Sequence, residues 1–249
     1  MAALIPNSKP RAGVGNVYGC EKTVRQFPRI ANPNGSMTMN AETPGATHFS
    51  ERLAEAFRFA LAKHNGQPRK GTAIPYLSHP MAVASIVLEY GGSEEQAIGA
   101  LLHDTVEDCG VSHREIAVRF GETVSRIVKD CTDAESKPGQ KKPDWRPRKE
   151  RYIDHVRREA DSRALLVSAA DKLHNAHAIV RDVKDHGPET WERFKGKAPS
   201  DILWYYESLV SAFRARAAEV SEDFGRLVAA IDAAVKEMRK LVVAAGRQR

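Results

Sequence analysis

The segment Ala97–Asp108, AIGALLHDTVED, limits the fold most tightly, because it sets four side chains of metal-ligating kinds on a run otherwise built for a core. At helical spacing Ile98, Leu101, Leu102, Thr105 and Val106 cover one buried flank, while His103 with Glu107 and Asp104 with Asp108 form two i,i+4 rows. An imidazole beside a carboxylate, with two more carboxylates one turn on, is costly on an apolar helix unless a cation neutralises it. A metal ion meets that requirement. Taken alone, the segment also fits a helix end opening into water, with Gly110 as the left-handed stop and the acids solvated. Other parts of the chain decide between the two.

No stretch alternates with period two, and no Asn-Gly or Asp-Gly hairpin separates strand-like runs, so the expected class is all-α. Leu53, Ala56, Phe57, Ala60 and Leu61 predict a first helix from about Ser50 to Gly66. A polar loop then leads to Ser78 as the cap, and Pro80 near the start, of a second helix through Tyr90. Ser93–Gln96 and Ser112–Glu115 have the capping-box pattern and open the next two helices. Glu122–Cys131 reads as a short helix, and Ala164 to about His186-Gly187 as one long buried helix. Asp201–Ala218 and Ser221–Val243 form a final pair. Between Asp133 and Arg151, basic residues alternate with Pro138, Pro143 and Pro147, which predicts a loop running into a helix near Arg148.

Of 249 residues 42% are hydrophobic, enough for one substantial core, and the expected organisation is a single globular domain over 49–249. Residues 1–48, rich in Gly, Pro, Asn and Ser, read as a flexible, disordered basic extension. Five basic residues against two acidic ones place +3 of the total +6 charge in that extension. The weakly basic remainder suits a small anionic ligand, and no nucleic-acid-binding signature is present, so a nucleic-acid partner is not expected. No run reaches membrane-spanning length and no secretory pattern opens the chain, so a cytoplasmic protein with no membrane partner is expected. Three cysteines without metal-like spacing suit a reducing compartment.

His79 opens the second helix, His103-Asp104 lies in the third, and Asp171 sits within the apolar run VSAADKLHNA. Individually, His79 fits a helix-start histidine and Asp171 a core aspartate paired with Lys172. Together, two imidazoles and two carboxylates make a mixed nitrogen/oxygen site suited to manganese, iron or zinc. A divalent ion there would acidify water and polarise a phosphoryl oxygen. Glu107, one turn beyond His103, is placed to act as base or orienter for that water, with Asp108 holding the network. Arg69 and Lys70, in a loop with Gly71, can offset phosphate charge, and Asn175 shares the face of Asp171.

The order His, His-Asp, Asp resembles the HD superfamily of metal-dependent phosphohydrolases. The motifs RKGTAIPYLSHP, ALLHDTVED and DKLHNA resemble more closely the hydrolase domain of the RelA/SpoT alarmone enzymes, especially the free-standing small alarmone hydrolases, over about Ser50 to Phe213. The resemblance implies an HD-domain helical bundle and one manganese ion on His79, His103, Asp104 and Asp171. Glu107 and Asp108 match the acidic pair that handles attacking water, and Arg69, Lys70 and Asn175 match substrate contacts. Tyr205 falls near a phosphate-contacting tyrosine, a position that core packing fits equally. The implied reaction removes the 3′-pyrophosphate of ppGpp or pppGpp, giving GDP or GTP and pyrophosphate. No alarmone synthesis is expected. His177 stands where many relatives have arginine, which bears on base or ribose preference. An NADPH 2′-phosphatase and a catalytically silent nucleotide-sensing or nucleic-acid-binding module are the competing readings.

Overall fold

The computed structural model describes residues 49–133, 144–194 and 196–246. The extension 1–48 lies outside the described residues, as do Lys137, Pro138, Lys141, Lys142 and Pro143 of the basic stretch. Ten α-helices are found among the described residues: α1 Glu51–Lys63, α2 Ser78–Glu89, α3 Glu94–Leu102, α4 Thr105–Cys109, α5 His113–Phe120, α6 Glu122–Cys131, α7 Trp145–Arg158, α8 Ser162–His186, α9 Pro199–Val220 and α10 Glu222–Gly246. A 3-10 turn, Pro188–Arg193, joins α8 to α9. Strand-type pairing is limited, among the described residues, to one isolated bridge between Pro68 and Pro75. The all-α expectation holds.

Helix α8 is the axis of the bundle. Every residue from Ala164 to Asp171 is buried, as a helix must be when it is apolar on all sides, and α2, α3, α6, α9 and α10 pack around it. Among the described residues, no helix is long and apolar enough to cross a membrane.

Local signals explain most helix ends. Ser93 Oγ accepts from the Gln96 amide at 3.3 Å, and the Gln96 side chain accepts from the Ser93 amide at 2.9 Å, completing the expected capping box. Gln96 Nε2 also donates to the Arg163 carbonyl at 3.0 Å, which ties the start of α3 to the start of α8. Gly110 stops α4 with φ 68°, in the left-handed region where glycine carries no Cβ penalty.

Four expectations change. Ala97–Asp108 is not one helix, because α3 ends at Leu102 and α4 starts at Thr105. His103 Nδ1 donates to the Ala100 carbonyl at 2.8 Å and Thr105 Oγ1 to the Leu102 carbonyl at 2.7 Å, so side chains compete for backbone acceptors where the helix breaks. Ser78 is the first residue of α2 rather than its cap, since its amide and that of His79 already donate to the Pro75 and Tyr76 carbonyls of the preceding loop. Ser112 caps α5 through the Glu115 amide, but the Glu115 carboxylate pairs with Lys63 at 3.5 Å. Helix α7 begins at Trp145, three residues before Arg148, because Pro147 occupies the first turn, where an amide hydrogen has no intrahelical acceptor.

Gly99 marks the closest approach of α3 to α6: a Cβ there would stand 2.6 Å from Ile127 Cγ2. Glycine to alanine in a helix ordinarily gains about 1 kcal/mol from propensity. Here overpacking against a stiff β-branched side chain dominates, so Gly99→Ala is expected to lose about 1–2 kcal/mol net, read as a lower urea midpoint at unchanged slope. A raised midpoint would contradict this packing.

Candidate metal centre and adjoining cavity

Three elements deliver the candidate ligands to one point. The loop before α2 folds back on itself, with the Arg69 amide donating to the Ile74 carbonyl at 2.8 Å and the Tyr76 amide to Gln67 at 2.7 Å, so His79 enters from a fixed direction. The α3–α4 break presents His103 and Asp104, and the buried middle of α8 presents Asp171. Ligand atoms of His79, His103 and Asp171 all lie within 4.8 Å of one another. Asp104 joins them: its Oδ2 is 3.1 Å from His103 Nε2 and 3.4 Å from His79 Nε2, and Asp171 Oδ1 is 3.1 Å from His79 Nε2.

The donor set fits a divalent cation. A carbonyl only accepts, so the His103–Ala100 bond places the proton on Nδ1 and leaves the buried Nε2, which has no hydrogen-bond partner, facing two carboxylates. Only a cation, a proton or a metal, reconciles that lone pair with carboxylate oxygens at 3.1 and 3.7 Å. His79 Nδ1 lies 2.8 Å from His174 Nδ1, and burial beside His79 pushes His174 down to about 4. In the tautomer where His174 Nδ1 accepts, His79 donates from Nδ1 and turns its Nε2 lone pair towards the same point. Burial opposes charge on Asp104 and Asp171, but His103 beside the first and Lys172 beside the second hold both carboxyls well below the usual range. The same carboxylates outweigh burial at His103 and hold its pKa well above the ordinary value.

Glu107 lines the space in front of these ligands, and its Oε1 accepts from the Asp133 amide at 2.8 Å. Asp108, expected beside it, is exposed and does not line that space, although its amide still donates to the Asp104 carbonyl at 2.9 Å. Asp133 is itself buried between Arg148 and Lys149, two residues of the basic stretch.

A cavity of about 330 Å³ opens alongside, sharing Tyr76, Lys149, Lys172 and Asn175 with the ligand cluster. Arg69, Lys70, Asn175 and Tyr205 all line it. Arg69 Nη2 donates to Asn175 Oδ1 at 2.8 Å, and Asn175 Nδ2 donates to Asp171, so cavity wall and ligand cluster form one hydrogen-bonded unit. Tyr205 belongs to both core and cavity: it is 5% exposed, its hydroxyl has no hydrogen-bond partner, and the Lys149 ammonium sits 4.6 Å from its ring centroid. His177 is exposed and outside the cavity lining.

Sequence reasoning missed Tyr76, whose hydroxyl donates to Asp104 Oδ2 while its ring stacks on His64 at 4.9 Å. It also missed His174, although spacing offered a signal: His174 follows Asp171 by three residues on one helix, and Tyr76 precedes His79 by three. Tyr76→Phe is expected to leave the fold intact and weaken divalent-metal binding about tenfold, as loss of a hydrogen bond to a ligating carboxylate does elsewhere. Calorimetric titration would read this, and equal affinity in the variant would remove Tyr76 from the support of Asp104.

With this geometry established, comparison places the chain among known proteins. The profile of the HD domain matches residues 56–198, a span holding all four converging ligands. Over 142 residues the chain is 39% identical to guanosine-3′,5′-bis(diphosphate) 3′-pyrophosphohydrolase MESH1 of Xenopus tropicalis, covering 56% of this chain and 73% of that protein. The protein of the same name from Danio rerio is 32% identical over 178 residues, covering 70% and 91%. A solved structure, described as a metazoan orthologue of SpoT that hydrolyses ppGpp and plays a role in starvation responses, aligns with TM-score 0.58 at 28% identity, covering 75% of this chain and 96% of that one. A crystal structure of lmo0812 from Listeria monocytogenes aligns with TM-score 0.52 at 26% identity, over 64% and 99%. The chain belongs to the HD-domain family.

Proposed function

We propose that this chain is a manganese-dependent hydrolase that removes the 3′-pyrophosphate of ppGpp and pppGpp, yielding GDP or GTP and pyrophosphate. The observation that carries the reading is the opening of a four-ligand cluster, His79, His103, Asp104 and Asp171, into a cavity walled by Arg69, Lys70, Lys149 and Lys172. The relatives named for this activity support it. Residues 49–249 form the catalytic domain in this reading, and the protein acts in the cytoplasm.

The four ligands hold the ion, which supplies Lewis acidity to the phosphoryl group and to water. Glu107, fixed by the Asp133 amide, takes the proton from the attacking water. Arg69, Lys70 and Lys149 hold the anionic pyrophosphate as its bond to the ribose 3′ oxygen breaks and that oxygen takes up a proton. Asn175, clamped between Arg69 and Asp171, keeps the phosphate-binding wall in register with the ligands. Tyr205 contributes the cavity wall beneath Lys149. Asp108, being exposed, is assigned a role in the local charge around α4 rather than contact with the water.

Manganese-loaded protein should convert ppGpp to GDP and pyrophosphate on anion-exchange chromatography, and orthophosphate released only from NADPH would transfer the assignment to a 2′-phosphatase. Asp104→Ala should lose metal and turnover together. Glu107→Gln should keep manganese affinity and lower kcat by 10²-fold or more, on the order expected for removing a general base. Full turnover in either variant would refute its assigned role.

A further inference from the structure

We propose that Arg193 and Arg181, both seated on Asp182, form a second anion subsite at the end of the cavity remote from the metal ligands, and that it receives the 5′-diphosphate of the nucleotide. This deepens the function proposed above and rests on it.

Helix α8 spans both ends of the cavity. Asp182 follows Asp171 by eleven residues on this helix, which is about 16 Å at 1.5 Å per residue. Asn175, Ala178 and Ile179 line the cavity in between. A group held at the ligand cluster therefore cannot also occupy the Asp182 end, whereas a nucleoside carrying phosphates at two positions can address both.

The charge at the remote end exceeds what folding requires. One carboxylate, Asp182, serves two guanidinium groups: Oδ1 accepts from Arg181 Nε at 3.2 Å and Nη2 at 3.1 Å, and Oδ2 accepts from Arg193 Nη1 at 2.5 Å. Two guanidinium groups against this one carboxylate leave a net positive charge. Arg193 is also held in place. Its guanidinium carbon lies 5.0 Å from the Phe194 ring centroid, and its side chain is only 17% exposed. A Cβ at Gly71, in the loop carrying Arg69 and Lys70, would stand 3.6 Å from Arg193 Cβ, so both cationic elements pack together. A guanidinium fixed by a carboxylate on one edge has further donors in its plane, and such preorganised forks suit phosphate oxygens.

The test compares guanosine 3′-diphosphate bearing a 5′-diphosphate with the same compound bearing a 5′-hydroxyl, using manganese-loaded full chain. The wild type is expected to prefer the 5′-phosphorylated substrate in kcat/KM, and Arg193→Gln to shrink that preference roughly tenfold, chiefly through KM. A preference unchanged by the substitution would overturn the subsite while leaving the hydrolase reading intact. Turnover of neither substrate would defeat the hydrolase reading. A binding arm therefore runs without turnover: GDP titrated calorimetrically into wild type, Arg193→Gln and Arg181→Gln. Weaker GDP binding in the variants supports the subsite, and equal binding removes it. Arg181, with its side chain 56% exposed, provides the variant that folds if Arg193→Gln does not.

Discussion

Two carboxylates and two imidazoles meet inside an apolar bundle, and electrostatics forbids that arrangement without a cation. The alternative to a metal is a proton on His103, whose Nδ1 is already committed to the Ala100 carbonyl. Metal uptake must then displace that proton, so ligand geometry and charge state are one problem. The surroundings answer it on each side: Tyr76 takes one oxygen of Asp104, Lys172 and Asn175 take Asp171, and His174 fixes the ring of His79. The bland reading of Asp171, a core aspartate paired with Lys172, is thus also true, since the lysine holds the carboxylate that faces the histidines.

The bundle makes such precision affordable by concentrating it on α8. Ala164–Asp171 are buried and anchor the fold, and from Asp171 onward the helix carries Asn175, Ile179, Arg181 and Asp182 past the ligand cluster and along the cavity. Register along that helix sets the distance between metal and cavity wall. A slip of one residue would turn Asp171 through about 100° and dismantle both.

Three of the four ligands break a local rule, and His79, an ordinary helix-start histidine by itself, was legible only in combination with them. A carboxylate within VSAADKLHNA and an imidazole-carboxylate pair at the end of AIGALL are poor choices for a core, and poor core choices mark function. Caps were legible for the same local reason, as Ser93 and Gln96 show. The break between α3 and α4 was not, because two side-chain bonds to carbonyls, invisible in periodicity, cause it. Beyond it, Glu107 lines the space before the ligands and Asp108 is exposed. Tyr76, His174 and the Asp182–Arg193 pair escaped notice because their roles arise from contacts between separate elements.

The basic stretch shows how composition alone misplaces charge. A run of lysines and arginines suggests either a solvated face or a diffuse phosphate attractor. Arg148 and Lys149 instead turn inward onto Asp133, and Arg146 lies 3.3 Å from the centroid of the Trp204 ring. The Asp133 carboxyl is held below its ordinary range despite burial, chiefly by Lys149. The Asp133 amide then fixes Glu107, so the basic stretch reaches the candidate base through one backbone hydrogen bond. Lys149 meanwhile borders both the ligand cluster and the cavity. Lys149 thus joins the cavity wall to the residue whose backbone amide holds Glu107.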